Sequence, residues 1–273
     1  MAEIALTKLA SGKELYVEKH NPITPGEREE PPIVFIHGAL GSSLTFAPCP
    51  PAFPTRTCIL YDVEGHGHSP RTTPDISMHT LVQDIDDIVT HFGMGDKEID
   101  LVAHGVGTIL GMHFARTRPK RVRRLVLVGP PLLPIPEEAR SRIKDRADSL
   151  REAGVHSMVP LITQLGLGSK ARENAEIRKV IEREIMRQDA DGVARFIEAL
   201  SEFHWDGKLP GVTVFVVAAK EDAMSNYKAC KKIAKLTQGK LVEMNTGHNV
   251  TFEDPEGFTA ALKTMLSCSE SKE

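Results

Sequence analysis

The sequence predicts an α/β fold in which a mostly parallel β-sheet lies between layers of helices. From Pro32 to Phe258, short apolar runs alternate with longer amphipathic stretches, the pattern of strands joined by crossover helices. The apolar runs are nearly continuous, as expected of strands buried on both faces. With 273 residues, the chain is long enough to form one domain of this kind.

Six buried strands are predicted where apolar runs end at glycine, proline or charged residues. They cover Ile33–Ile36, Thr57–Tyr61, Ile99–Ala103, Arg124–Val128, Val212–Ala218 and Lys240–Met244. Before them, Ile4–Leu9 and Glu14–Glu18 show looser alternation around Ser11-Gly12. This second pattern indicates an antiparallel hairpin at one edge of the sheet.

Three helices are predicted between and after these strands, at Met78–Phe92, from Gly105 to about Arg116, and at Pro255–Leu266. In the first, the acidic residues Asp84, Asp86 and Asp87 are expected on the solvent side.

The segment 130–205 interrupts the alternation of strands and helices. It is rich in Arg and Glu, contains several helical patterns and has no convincing strand. Turns around Pro134-Ile135-Pro136 and Leu209-Pro210-Gly211 mark where this segment leaves and rejoins the core. We therefore predict a helical cap at residues 130–205, inserted into a core made of residues 1–129 and 206–273.

The composition excludes several classes of function. A net charge of −3 provides no positive field for nucleic acid or anionic lipid, so neither is expected as a partner. No segment reaches eighteen consecutive apolar residues, and the first twenty residues lack the features of a secretory signal. Four cysteines without paired spacing suggest no disulfide framework. We expect a cytoplasmic protein.

Two turns at predicted strand ends are candidates for chemistry. The first, His37-Gly38-Ala39-Leu40-Gly41-Ser42-Ser43, lacks the Lys of a phosphate-binding loop, and its backbone N–H groups could instead face a developing oxyanion. The second, Ala103-His104-Gly105-Val106-Gly107-Thr108, joins a strand to a helix, which is the setting of a nucleophile elbow. The position of the nucleophile is occupied by Gly105.

At these motifs the chain resembles the α/β-hydrolase superfamily, whose elbow reads Gly/Ala-His-Ser-x-Gly. The run Asp62-Val63-Glu64-Gly65-His66-Gly67-His68-Ser69 is similar to the D-x-x-G-x-G-x-S turn of that family. The resemblance covers roughly residues 30–268. It implies a sheet of about eight strands and an inserted cap.

The resemblance also implies roles for particular residues. Ala219-Lys220-Glu221-Asp222 is similar to the acid loop, with Asp222 as the acid and Glu221 as the alternative. Thr246-Gly247-His248-Asn249 is similar to the histidine loop, with His248 as the base. The N–H groups of Ala39 and Val106 would form the oxyanion hole.

Three functional hypotheses remain open. In the first, a serine hydrolase of esters or lactones has lost its nucleophile to Gly105. In the second, Gly105 is native and the Asp222–His248 dyad activates water or abstracts a substrate proton. In the third, the protein is non-catalytic, as in the NDR family. The intact acid and histidine loops favour an enzyme lineage.

The expected substrate is a small or medium apolar ester, lactone or β-keto compound, and a homodimer is left open. Acyl transfer at such a site needs no cofactor and no metal. His66, His68 and His104 show no metal-ligand spacing, so we expect them to be structural.

Overall fold

One eight-stranded sheet forms the centre of the protein in the computed structural model, which describes residues 2–24, 30–73, 75–205 and 209–267. The strands are β1 (Ala2–Lys8), β2 (Glu14–His20), β3 (Ile33–Ile36), β4 (Cys58–Tyr61), β5 (Ile99–His104), β6 (Val122–Val128), β7 (Thr213–Ala219) and β8 (Lys240–Met244). Their order is β1-β2-β4-β3-β5-β6-β7-β8. β2 runs antiparallel to β1 and β4, and every other neighbouring pair is parallel. The predicted fold class is confirmed.

From β4 onward, one or more helices follow each strand. They are α1 (Met78–His91), α2 (Gly107–Thr117), α3 (Glu137–Ala153), α4 (Val159–Leu165), α5 (Ser169–Glu173), α6 (Ala175–Met186), α7 (Ala190–Ser201), α8 (Tyr227–Thr237), α9 (Val250–Glu253) and α10 (Pro255–Ser267). None of the helices in the described ranges is long and apolar enough to cross a lipid bilayer.

The sheet buries both of its faces, which explains the continuous apolar runs of its central strands. In β3, Val34 and Ile36 pack in one core cluster with α1, α2 and α8 residues, whereas Ile33 and Phe35 pack in the other with α10. Side chains that alternate along a strand point to opposite faces, so both faces need apolar residues. The edge strand β1 has one neighbour only and is exposed at six of its seven positions.

The predicted helix at Gly105 begins two residues later, at Gly107. Gly105 has φ +55 and belongs to the turn between β5 and α2. This left-handed conformation is incompatible with a right-handed helix but is readily adopted by glycine.

The expectation that Asp84 and Asp87 face solvent is wrong. Asp84 is 2% exposed and Asp87 is 8% exposed, because the turn between β1 and β2 covers this side of α1. Lys13 Nζ lies 3.0 Å from both carboxylate oxygens of Asp84, and the Ser11 N–H donates to Asp87. Burial raises the pKa of the Asp84 carboxyl to about 6, against the nearby charge of Lys13.

The segment predicted as a cap contains α3 to α7. Residues 130–205, all of which the structure describes, form helices and turns and no strand. The division of the chain into a core and a cap remains a prediction, and its second boundary at residue 206 falls outside the described residues.

Candidate active site

The turn after β5 is tightly packed and held by hydrogen bonds. The Gly105 N–H donates to the Val128 carbonyl at 2.9 Å, and the Gly105 carbonyl accepts from the Thr108 hydroxyl at 2.6 Å. At Gly107, a Cβ would lie 2.2 Å from the carbonyl oxygen of His37, so a glycine is required there. The backbone of Gly105 is thus fixed over the start of α2.

Asp222 and His248 are hydrogen-bonded beside this turn. His248 Nδ1 lies 2.7 Å from Asp222 Oδ2, and Asp222 Oδ1 accepts the backbone N–H groups of Met224 and Ser225 at 2.8 Å each. The Asp222 side chain is fully buried, whereas that of His248 is 12% exposed. A Cβ built on Gly105 would lie 3.1 Å from His248 Nε2. His248 therefore has one ring nitrogen on Asp222 and the other beside the nucleophile position.

Glu221, the alternative acid, is directed elsewhere. Its carboxylate accepts the backbone N–H of Ser169 at 2.7 Å, at the start of α5. This bond lowers the pKa of the exposed Glu221 carboxyl. Of the two candidate acids, the structure brings Asp222 to His248.

The interaction between Asp222 and His248 shifts both pKa values in the direction that favours the charged forms. Burial alone would lower the pKa of His248, but the charge and hydrogen bond of Asp222 outweigh it, so this pKa lies above its ordinary value. Burial alone would raise the pKa of Asp222, but His248 and the two N–H donors outweigh it and the pKa is lowered. A carboxylate that stabilises an imidazolium in this way is suited to support a general base.

His104 holds His248 in place, and Gly129 leaves room for its ring. His104 Nε2 lies 2.9 Å from the His248 carbonyl oxygen, and the two ring centroids are 4.5 Å apart. Burial lowers the pKa of His104 to about 3, so the ring is neutral and its Nε2–H donates this bond. On the other side, a Cβ at Gly129, which has φ +56, would lie 3.1 Å from His248 Nδ1 and 3.3 Å from Asp222 Oδ2.

The loop after β3 is ordered by a neutral histidine. The Val63 N–H donates to His37 Nε2 at 2.9 Å, and Nδ1–H donates to the Gly38 carbonyl at 2.8 Å. Burial lowers the pKa of His37, which keeps this tautomer uncharged. Ala39 and Val106 both line the cavity above Gly105, and within the described residues neither of their N–H groups has an acceptor.

The Asp62–Ser69 turn joins the loop after β3 to the helices of residues 130–205. Asp62 accepts the N–H of Ser43 at 2.6 Å and that of His68 at 2.8 Å. A Cβ on Gly65 would lie 2.6 Å from the Cα of Gly192 in α7, so both glycines are needed for this close approach. The turn is a structural support for the cleft.

The histidine loop is tied to the same helical segment. Glu253 accepts the N–H groups of Gly247 at 2.8 Å and Gly168 at 3.0 Å, and Asn249 Nδ2 donates to the Gly166 carbonyl at 2.9 Å. These bonds position the loop that carries His248 against the residues between α4 and α5.

A cavity of about 460 Å³ lies between this site and the helical segment, a size typical of small-molecule sites. Gly105 and His248 line its floor. Its opposite wall is largely apolar and includes Leu150, Met158, Leu161, Ile181, Ile185 and Ile197. The arrangement can hold an apolar molecule against His248 and the free backbone N–H groups.

The sequence did not predict that His104 bonds to the His248 carbonyl or that Gly129 leaves room for the His248 ring. His104 stands in the elbow motif and was expected to be structural, but nothing in its spacing indicates a bond to a carbonyl 144 residues away. Gly129 follows β6, and a glycine directly after a parallel strand is the signal that could have indicated a site contact. In the described ranges, no group of three His, Cys, Asp or Glu residues could hold a metal ion.

Comparisons with known proteins agree with this fold. Residues 31–153 match the model of a family described as the alpha/beta hydrolase fold. The chain is 30% identical over 264 residues to the RutD protein of Caulobacter sp. (strain K31), which carries the name of a carbamate hydrolase, with 93% of this chain and 96% of that protein covered. It is 26% identical over 261 residues to the sn-1-specific diacylglycerol lipase ABHD11 of Mus musculus, covering 89% and 83%.

Solved structures share the fold at lower identity. A thermophilic esterase from Thermogutta terrifontis superposes with a TM-score of 0.83 at 20% identity, covering 97% of this chain and 98% of that one. The enol-lactonase from Burkholderia xenovorans LB400 gives 0.80 at 19% identity, covering 97% and 100%. With these similarities along nearly its whole length, the chain belongs to the α/β hydrolase fold family.

Proposed function

We propose that this protein derives from a hydrolase of small or medium esters or lactones, in which Gly105 occupies the position of the serine nucleophile. The single observation that carries the proposal is the distance of 3.1 Å between His248 Nε2 and a Cβ at Gly105, with His248 Nδ1 bonded to Asp222. A serine side chain there would bring its hydroxyl within hydrogen-bond reach of the base after the ring moves by a few tenths of an ångström.

With a hydroxyl at position 105, the chemistry follows from the geometry. His248 Nε2 takes the hydroxyl proton as the oxygen bonds to the acyl carbon, and Asp222 stabilises the resulting imidazolium. The N–H groups of Ala39 and Val106 hold the oxyanion. His248 then returns the proton to the leaving oxygen, and water releases the acyl group by the same steps in reverse.

As the chain stands, no hydroxyl is attached at position 105, and serine chemistry is disabled. A second candidate function is water activation or proton abstraction by the Asp222–His248 dyad alone. It is favoured by one observation: within the described residues, His248 Nε2 has no hydrogen-bond partner and lies beside open cavity. His248 would act as the base for a water bound there, as it would for a serine at position 105.

The substrate class is proposed from the cavity and from the relatives. The apolar wall suits an acyl chain or ring more than a sugar or nucleotide. The names of the relatives include a carbamate hydrolase, a diacylglycerol lipase, an esterase and an enol-lactonase, which is consistent with an ester or lactone as the substrate class. We place the protein in the cytoplasm, where the three described cysteines, all free and buried, would stay reduced.

The test is Gly105→Ser assayed with p-nitrophenyl esters of two to eight carbons and with an aryl lactone. We expect hydrolysis at least about a hundredfold above that of the unmodified protein, because loss of a triad serine removes several powers of ten in rate. Adding His248→Ala should abolish the gain. A folded Gly105→Ser variant that is inert on all these substrates would contradict the serine-hydrolase proposal, and turnover by the unmodified protein that depends on His248 would support the dyad.

A further inference from the structure

The wall of the cavity formed by α3 carries two arginines where an apolar stripe is expected. Ala139, Arg142, Ile143, Arg146 and Leu150 all line the cavity, at the i, i+3, i+4, i+7 and i+11 positions of one helix face. A helix of a globular protein normally turns apolar residues inward and charges outward. The two guanidinium groups, one helical turn apart, therefore need an explanation.

Neither arginine is explained by an ion pair of the protein. Within the described ranges, Arg142 and Arg146 have no hydrogen bond and no acidic partner; Arg142 is exposed at the cavity, whereas Arg146 is half-buried. Other charges of the same helix are paired: Arg151 contacts Glu198 at 2.6 Å and Asp191 at 3.0 Å, and Lys144 contacts Asp148 at 2.6 Å. Burial and the neighbouring charge of Arg142 lower the pKa of Arg146.

The acidic residue of the cavity wall does not neutralise these arginines. Among the described lining residues, Glu184 is the one carboxylate. It accepts a short hydrogen bond from the Ser42 hydroxyl and lies 3.5 Å from Arg187. The two arginines thus leave an excess of positive charge in a cavity whose wall is largely apolar. A half-buried, unpaired guanidinium favours an anion, which restores the hydrogen bonds and the charge partner lost on burial.

We propose that the cavity binds substrates whose acyl chain ends in an anionic group, carboxylate or phosphate, held by Arg142 and Arg146. The substrate class would then be an ester or lactone of an acidic acyl chain, with its apolar part along the wall and its acyl carbon at Gly105. The assignment of the acyl carbon to the position beside Gly105 rests on the proposed function. The recognition of the anion does not depend on turnover.

The first experiment measures binding to the unmodified protein by ligand-observed NMR, with methyl hexanoate, monomethyl adipate and methyl 5-phosphonopentanoate as probes. We expect the two anionic esters to bind more tightly than the neutral one. Arg146→Met should weaken their binding by about 10-fold to 100-fold, the usual cost of losing a hydrogen bond to a charged group, and leave methyl hexanoate unchanged. Arg142→Met should act in the same direction. The anionic ester whose affinity falls more in Arg146→Met identifies the preferred anionic group.

Lys144→Met is the matched control, since it removes one positive charge from the exposed side of the same helix. It should preserve the preference for anionic esters. The inference is overturned if the preference for anionic esters survives Arg146→Met or if Lys144→Met removes it equally. It is also overturned if Arg146→Met weakens the binding of neutral and anionic esters alike, or if neither anionic ester binds at millimolar concentration. Inertness of Gly105→Ser with this preference intact would contradict only the proposed hydrolase function, and an active Gly105→Ser variant without the preference would contradict only this inference.

Discussion

Gly129→Ala is a sharp test of how closely the Asp222–His248 pair is fitted to the core. Gly129 follows β6 with φ +56, outside the elbow and in neither the acid nor the histidine loop. An added Cβ would lie 3.1 Å from His248 Nδ1, 3.2 Å from His248 Cε1 and 3.3 Å from Asp222 Oδ2. Each distance is shorter than an ordinary van der Waals contact, and all three atoms belong to the hydrogen-bonded pair of His248 and Asp222.

The magnitude has two parts. Alanine in the left-handed conformation costs about 1–2 kcal/mol of folding free energy wherever it occurs. The contacts with His248 and Asp222 add to this by moving the ring a few tenths of an ångström. Because small misplacements of reacting groups are costly, we expect kcat/KM for ester hydrolysis in the Gly105→Ser background to fall by about 10-fold or more.

Gly93→Ala is the matched control. Gly93 has φ +71, and nothing lies within 4 Å of its added Cβ, so the substitution adds backbone strain without a contact at the site. Both variants should lose stability in thermal unfolding. Only Gly129→Ala should lower the pKa of His248, measured from the ring signals by NMR, and reduce turnover. Equal effects of the two substitutions on the His248 pKa would refute the argument.

Two other predictions concern the dyad and the close approach of two glycines. Asp222→Asn should lower the pKa of His248 and remove a pH-dependent contribution to the free energy of unfolding. Because the pKa of His248 is raised in the folded protein, its protonation stabilises the fold fully below about pH 6.5. This contribution is lost as the pH rises through the folded-state pKa. Unfolding in denaturant at several pH values would measure it, and a His248 pKa unchanged in Asp222→Asn would contradict the prediction. Gly192→Ala should destabilise by about 1–3 kcal/mol, although alanine normally favours a helix, because its Cβ would lie 2.6 Å from the Cα of Gly65. A Tm equal to or above that of the unmodified protein would contradict this second prediction.

The sequence was sufficient for the sheet and for the local motifs of the site. A buried parallel strand such as β3 leaves a clear signal, because a strand that is covered on both faces consists largely of apolar residues. The elbow can also be predicted from the sequence, since a strand, a tight turn and a helix follow one another within a few residues. The fold class and the family were predictable for this reason.

Contacts between distant segments were not predictable in the same way. The burial of Asp84 depends on Lys13, 71 residues earlier, and a single helix pattern gives no sign of it. The requirement for Gly129 arises from a His248 ring that the β6 sequence cannot specify. The pairing of Asp222 rather than Glu221 with His248 follows from the turn geometry, since adjacent side chains in a loop point in different directions.

The most direct test of the proposed site is covalent labelling of Gly105→Ser with an alkyl fluorophosphonate, followed by intact-protein and peptide mass spectrometry. We predict one adduct per chain at position 105: the new hydroxyl oxygen bonds to phosphorus, fluoride leaves, and His248 takes the proton. The unmodified protein and the Gly105→Ser, His248→Ala variant should stay unlabelled. A folded Gly105→Ser variant that gains no adduct, or gains it at another residue, would contradict the claim that Gly105 stands in a nucleophile site.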